Sequence, residues 1–128
     1  MEIVRRGWEH FLATGEQPRE LIAPSFIWDM SRFRGWPEEQ SYEGVEGINT
    51  FIRDWTQPFA DWEMEVDSFH DAGEQVVSLC RQRARSKTTG LPIDMSFAMV
   101  WTVRDGLEVR MEMYADWGEA LEAVGLEG

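Results

Sequence analysis

The hydrophobic period of this chain changes partway along it, and that change limits the fold more than any other feature. From Asp61 onward apolar residues fall at every second position, with Trp62, Met64 and Val66 alternating with Glu63, Glu65 and Asp67. That is the pattern of a strand buried on one face. Ala72-Gly73-Glu74, the Ser86 to Gly90 stretch and Asp105-Gly106 cut this half into four runs: one from Trp62, Gln75 to about Arg85, Pro92 to Arg104, and Leu107 to Tyr114. Asp-Gly is the strongest of the three turn signals, since a two-residue hairpin turn needs positive φ at both positions. Before Asp61 the spacing is mostly helical. Val4, Trp8, Phe11 and Leu12 form one stripe ending at Thr14-Gly15, and Val45, Ile48, Phe51, Ile52 and Trp55 form another that stops near Pro58. Between them, Gln17 to Ile22 predicts a short helix with Pro18 in its first turn. Ser25 to Met30 predicts a strand and Ser31 to Tyr42 a long loop. Asp116 and Glu119 make a capping box for a last helix stopping at Gly125. Helices first and an antiparallel meander after them predict an α+β architecture.

Length and charge set the function classes that remain. A chain of 128 residues is enough for one core and short for two. No run approaches the ~18–20 apolar residues of a membrane span. Charges interrupt Met1 to Leu12, so it does not read as a signal peptide. With 24 acidic and 12 basic residues the net charge is −12, which repels nucleic-acid backbones and anionic membrane surfaces. A lone Cys80 excludes an internal disulfide, and neither His10 nor His70 has a partner at ligand spacing. The expectation is a cytoplasmic protein with no metal and no cofactor. Its seven tryptophans are the unusual part of the composition.

A two-residue turn at Asp105-Gly106 fixes strand register. It pairs Thr102 with Val109, Val100 with Met111 and Ala98 with Met113, and puts Val103, Trp101, Met99 and Phe97 on the other face, opposite Glu108, Arg110, Glu112 and Tyr114. Both faces of the third long strand are then apolar, and helices on one side cannot hide both. Helices are expected over the small-residue face, leaving a pocket there. Phe97, Met99 and Trp101 are expected to meet a second copy in a homodimer.

Several segments together resemble the SnoaL-like, ketosteroid-isomerase-like branch of the nuclear-transport-factor-two-like superfamily. They are Phe26-Ile27-Trp28-Asp29, Tyr42-Glu43-Gly44-Val45-Glu46-Gly47-Ile48, Asp71-Ala72-Gly73-Glu74-Gln75-Val76-Val77, Val100-Trp101-Thr102-Val103-Arg104-Asp105-Gly106 and the tail Glu119 to Leu126. The resemblance covers nearly the whole chain and implies one SnoaL-like domain over residues 1–128. It implies a cone-shaped curved antiparallel sheet wrapped around about three helices, with a short C-terminal helix, a deep apolar pocket and frequent dimers. The isomerase residues do not carry over. Its tyrosine position falls on Trp8, its base position on Met30 (or on Asp29 after a one-residue slip) and its second aspartate on Ala98. The last-strand aspartate of related epoxide hydrolases falls on Met113.

For chemistry, Asp94 shares the parity of Ser96 and Ala98 and is expected at the wide end of the cone, where an inward carboxylate would act as general base or acid. Asp29 is the second candidate base and needs a local bulge to turn inward. Arg81, Arg83 and Arg85 share one face. One reading pairs them at the surface with Glu63 and Glu65; the other turns them into the pocket. Cys80 reads as a packed thiol. The expected ligand is a small apolar, aromatic or polycyclic molecule held by Trp8, Phe11, Trp28, Phe51, Trp55, Ala98, Met111 and Met113, with cofactor-free isomerase, cyclase or dehydratase chemistry. The alternative is a non-catalytic binding or dimerisation module of the same fold. Trp62 is expected in the core, with Trp36 and Trp117 flanking the mouth.

Overall fold

The computed structural model describes residues 2–15, 18–33, 36 and 41–126. Helix α1 (Glu2–Thr14) passes through a single 3-10 turn (Arg19–Leu21) into strand β1 (Ile22–Asp29). Strand β2 (Ser41–Glu43) and helix α2 (Gly44–Thr56) follow, then β3 (Phe59–Ala72), β4 (Gln75–Ser86), β5 (Pro92–Arg104), β6 (Leu107–Tyr114) and helix α3 (Trp117–Ala123). Gln17 and most of the 34–40 stretch, expected as helix start and loop, lie outside the described residues. The caps behave as their residue types dictate. Asp116 Oδ1 accepts the Glu119 N–H at 3.0 Å, and Asp105 and Gly106 adopt φ of 52° and 77°, the hairpin geometry.

The six strands form one unclosed sheet in the order β2-β1-β6-β5-β4-β3. It is mixed, which corrects the expectation of an antiparallel sheet: β1 runs parallel to β6. A hairpin forces its two strands to oppose each other. No hairpin joins β1 to β6, so packing alone sets their relative direction.

The Asp105-Gly106 turn starts the expected register, pairing Arg104 with Leu107 and Val103 with Glu108. A bulge between Thr102 and Val103 in that pairing then leaves Val109 over, so that Thr102 meets Arg110, Trp101 meets Met111 and Met99 meets Met113. One extra residue exchanges the faces of everything beyond it. Phe97, Met99 and Trp101 therefore share the inner face with Met111 and Met113, in one core cluster with Val4 and Trp8 of α1 and Ile48, Phe51 and Trp55 of α2.

Two expectations fall with the register. Phe97, Met99 and Trp101 are 1%, 4% and 7% exposed in the single chain, so they are not a dimer surface. Ala98, with Val100, Val77, Leu79 and Tyr114, sits on the outer face, where Ala120 and Leu121 of α3 cover it. The chain covers the inner face and the apolar patch of the outer face by itself, with two helices inside the curve and one outside. No helix among the described residues is long and apolar enough to cross a membrane.

Candidate functional site

A cavity of about 50 Å³ opens between the helices and the inner sheet face. Helix α1 contributes Val4, Gly7, Trp8 and Phe11; α2 contributes Phe51, Ile52, Trp55 and Thr56. The strands add Trp28, Trp62, Met64, Phe97, Met99, Trp101, Glu108 and Met113, and Pro18 completes the rim. Trp101 is central to the wall. Its ring meets those of Trp8 and Trp28 edge-on at 6.3 and 5.9 Å, the arrangement that the aromatic quadrupole favours. Trp28 also packs against Phe51 with centroids 4.6 Å apart, and Trp55 meets Phe97 at 5.5 Å.

The expected ligand residues Trp8, Phe11, Trp28, Phe51, Trp55 and Met113 line this cavity. Met111 is buried in the same cluster but behind the lining. Ala98 is on the opposite face for the register reason given above. Trp36 packs on Phe51 and Trp55, at 5.4 and 5.5 Å. Trp117 is not at the mouth. It lies outside the sheet and donates its indole N–H to Phe97 O at 3.0 Å.

Neither expected carboxylate enters the cavity. Asp94 is exposed and pairs in register with Arg83 on the outer face; the parity with Ala98 was read correctly, but that parity points outward. Asp29 is buried on the outer side of β1, where Ser31 N–H donates to it at 2.8 Å and Arg110 forms an ion pair with it. Burial alone would raise its pKa, yet the Ser31 hydrogen bonds and the Arg110 charge outweigh that and hold the carboxyl below its ordinary value. Arg81, Arg83 and Arg85 are likewise exposed on the outer face. Glu65 and Glu63 lie across from Arg81 and Arg83, while the ion pairs run to Asp67 from Arg81 at 3.5 Å and to Asp61 from Arg85 at 3.9 Å. Exposed pairs of this kind contribute little.

The carboxyl that does line the cavity is Glu108, the second residue after the hairpin turn. It is 4% exposed and has no hydrogen-bond or ion-pair partner among the described residues. Burial pushes its pKa up to about 8, because an ionised carboxylate loses its hydration there and gains no donor. Helix α1 passes it at Gly7, where an added methyl would lie 3.7 Å from Glu108 Oε2. The sequence carried a usable sign of this residue. Its pairing with Val103 was correct, and a glutamate opposite an apolar stripe becomes an inward carboxyl once that stripe is taken as the inner face.

Two buried polar side chains, Ser78 and Gln82, went unnoticed in the sequence because they lie among the β-formers of β4. Ser78 Oγ accepts the Trp101 indole N–H at 3.1 Å. Gln82 Oε1 accepts two, from Trp55 at 2.7 Å and Trp62 at 2.9 Å. The indole N–H groups of Trp8 and Trp28 and the amide nitrogen of Gln82 are buried without an acceptor among the described residues. Cys80 is fully buried, its thiol pushed up to about 12 by desolvation, and is inert as a nucleophile. No group of three or more potential metal-binding side chains occurs among the described residues.

A mixed sheet curved around two helices is the cone architecture of the nuclear-transport-factor-two-like proteins. Within that class the chain belongs to the SnoaL-like domain family, which its sequence matches over residues 5–111. Solved structures agree on the fold. An NTF2-like protein from Burkholderia thailandensis is 24% identical, with a TM-score of 0.74 over 94% of this chain and 95% of that one. A putative SnoaL-like polyketide cyclase from a Jannaschia species is 19% identical, with a TM-score of 0.69 over 99% and 94%. TerC, crystallised with polyporic acid, is 20% identical, with a TM-score of 0.71 over 96% and 95%. No curated protein sequence matches the chain.

Proposed function

We propose that this protein binds a small apolar, aromatic molecule inside the cone and acts on it by cofactor-free proton transfer through Glu108, as an isomerase, cyclase or dehydratase. The observation that carries the reading is a buried carboxyl without a partner, lining a cavity otherwise walled by aromatic and aliphatic side chains. A carboxyl with its pKa near 8 exists in both forms around neutral pH, so it can take a proton beside a carbonyl and return it elsewhere. The dry wall strengthens that exchange and requires no metal or nucleotide. The relative crystallised with polyporic acid supports a small organic ligand. Asp94 and Asp29, placed outside the cavity, are replaced by Glu108 in the role of base.

Deuterium uptake by 2-tetralone in D2O tests the reaction, because its protons beside the carbonyl exchange only when a base removes them. The native protein should accelerate uptake and Glu108→Gln should reduce it to the buffer rate, about a hundredfold or more below native. Equal rates for the two proteins would remove the catalytic reading.

A second reading, a non-catalytic module whose cone is filled by its own aromatics, is favoured by one observation. The cavity of about 50 Å³ is small beside the ~300–1,000 Å³ of ordinary ligand pockets. A ring-sized ligand must displace indoles to enter, and absence of binding by calorimetry would favour this second reading. The homodimer is kept within the proposal, with its surface moved to the outer sheet face around Thr102 and Arg110. A mass of 14.9 kDa by light scattering would exclude it.

A further inference from the structure

Five tryptophans, Trp8, Trp28, Trp55, Trp62 and Trp101, line the cavity, and Glu108 is the one ionisable side chain that joins them there among the described residues. Proton transfer to an apolar ligand accounts for the carboxyl but not for the choice of indoles over aliphatic walls. An indole face carries the negative end of the ring quadrupole, and tryptophan holds a cation over that face better than any other aromatic side chain. A carboxylate supplies the counter-charge. The whole chain selects in the same direction, since a net charge of −12 draws cations toward the surface and repels anions. Phe11, Ile52, Thr56, Trp62 and Met64 are the lining residues that are only half-buried, which puts the way in between α1, α2 and β3. Size and donor count then narrow the cation. About 10–15 Å³ holds one water-sized group, so the cavity of about 50 Å³ takes about four non-hydrogen atoms with the indoles in place. A primary ammonium would bury three N–H groups beside a single charged acceptor and leave some of them unpaired. A tertiary ammonium has one N–H and turns its alkyl groups to the rings.

We infer that the cavity binds a small tertiary alkylammonium ion, its N–H donating to the Glu108 carboxylate and its alkyl groups held against the indole rings. This goes beyond the proposed reaction, and it requires the cavity but no catalysis. Binding displaces a proton, because burial keeps Glu108 largely protonated below pH 8. No other charge among the described residues faces Glu108. Glu2, Arg5, Arg6, Glu9 and His10 on α1, Arg19 and Glu20 ahead of β1, and Arg104 on β5 are all exposed, while Arg110 lies on the outer face with Asp29 and Glu112. The pH dependence of binding is therefore that of Glu108 alone.

Trimethylammonium chloride and tert-butanol, which is similar in size and uncharged, are titrated by calorimetry into native protein and Glu108→Gln. At pH 8 the native protein should bind trimethylammonium about tenfold or more tightly than tert-butanol, the combined worth of the ion pair and the ring contacts. Its affinity should fall by about tenfold for each pH unit below 8, and each ion bound there should release about one proton, read from the heats in two buffers of different ionisation enthalpy. In Glu108→Gln the preference for the cation, its pH dependence and the proton release should all disappear, with the tert-butanol affinity retained. Trimethylammonium binding that survives in Glu108→Gln, or that releases no proton, would put the ion on the acidic surface and overturn the inference. If trimethylammonium fails to bind while 1,4-diethylbenzene does, the cation is the wrong class of ligand and the proposed pocket stands. If neither binds, the pocket reading fails and the inference falls with it.

Discussion

Glu108 is the only ionisable residue among the described residues lining the cavity, and its burial makes a prediction about stability as well as chemistry. Folding raises its pKa from an ordinary 4.5 to about 8, so between those values the folded chain holds a proton that the unfolded chain has released. The stabilisation is complete below about pH 4.5 and is lost as pH rises through 8, at about 1.4 kcal/mol for each pH unit of the window. Thermal unfolding of the native protein should therefore weaken between pH 5 and 8.5 more steeply than that of Glu108→Gln, which has no proton to lose at this site. Parallel curves for the two proteins would show that Glu108 is solvated. Asp29 works in the opposite sense and in a different range. Its lowered pKa contributes stability that disappears only in acid, below the ordinary carboxylate value. Because neither Asp29 nor Asp94 lines the cavity, Asp29→Asn and Asp94→Asn should leave deuterium uptake by 2-tetralone at the native rate. Residue type and position along a strand nominated those two aspartates. What removed them was the side of the sheet they occupy, which depends on a pairing between strands that neither residue reveals.

At the scale of elements, the decisive feature is the bulge that leaves Val109 over in β6. It turns Met111 and Met113 inward while Glu108, on the other side of it, faces in as well. Deleting Val109 would remove the extra residue and keep Thr102 opposite Arg110 and Trp101 opposite Met111, with the methionines still inside, whereas inserting an alanine after Val109 would drive them to the outer face. Loss of a cooperative urea transition is the expected outcome for the insertion, and the deletion should retain one. The helices make a second contrast. Gly7 in α1 has room for a methyl in ordinary contact with Glu108, so Gly7→Ala should gain about 0.5–1 kcal/mol from helix propensity. Gly47 in α2 has none. A Cβ there would lie 2.9 Å from the carbonyl carbon of Tyr42, so Gly47→Ala should destabilise through collision with backbone that cannot yield. Opposite signs in denaturant midpoints would confirm that α2 sits against β2 as closely as described. Element types and most limits were legible from period and turn chemistry, as β4, β5, β6 and the Asp116-capped α3 show. The start of β1 was not. Ile22 to Ser25 contains Pro24 and falls at a register shift, and pairing with β6 at Ile22 rather than local preference makes it the start of a strand.

For the whole molecule, one short helix changes the account of how the sheet is buried. Helix α3 spans seven residues, yet with Trp117 bonded to the β5 backbone it seals the outer apolar face formed by Val77, Leu79, Ala98, Val100 and Tyr114. Leu121→Ala should cost about 2–4 kcal/mol in urea unfolding and leave the affinity for 1,4-diethylbenzene unchanged, since α3 and the cavity lie on opposite sides of the sheet. A loss of affinity as large as the loss of stability would mean that the two faces are coupled.

From sequence alone, alternation, the Asp-Gly turn, the caps and the aromatic content determined an α+β chain with an apolar interior and an acidic exterior, because those depend on local geometry and on the partition of side chains between water and core. Which face is inside was decided only in three dimensions. A single bulged residue costs little locally and leaves almost no mark on composition or period, yet it reverses every side chain beyond it. That reversal put Met111 and Met113 on the face of Phe97, Met99 and Trp101, which lines the cone and is not an interface, and Glu108, paired with Val103 ahead of the bulge, shares that face.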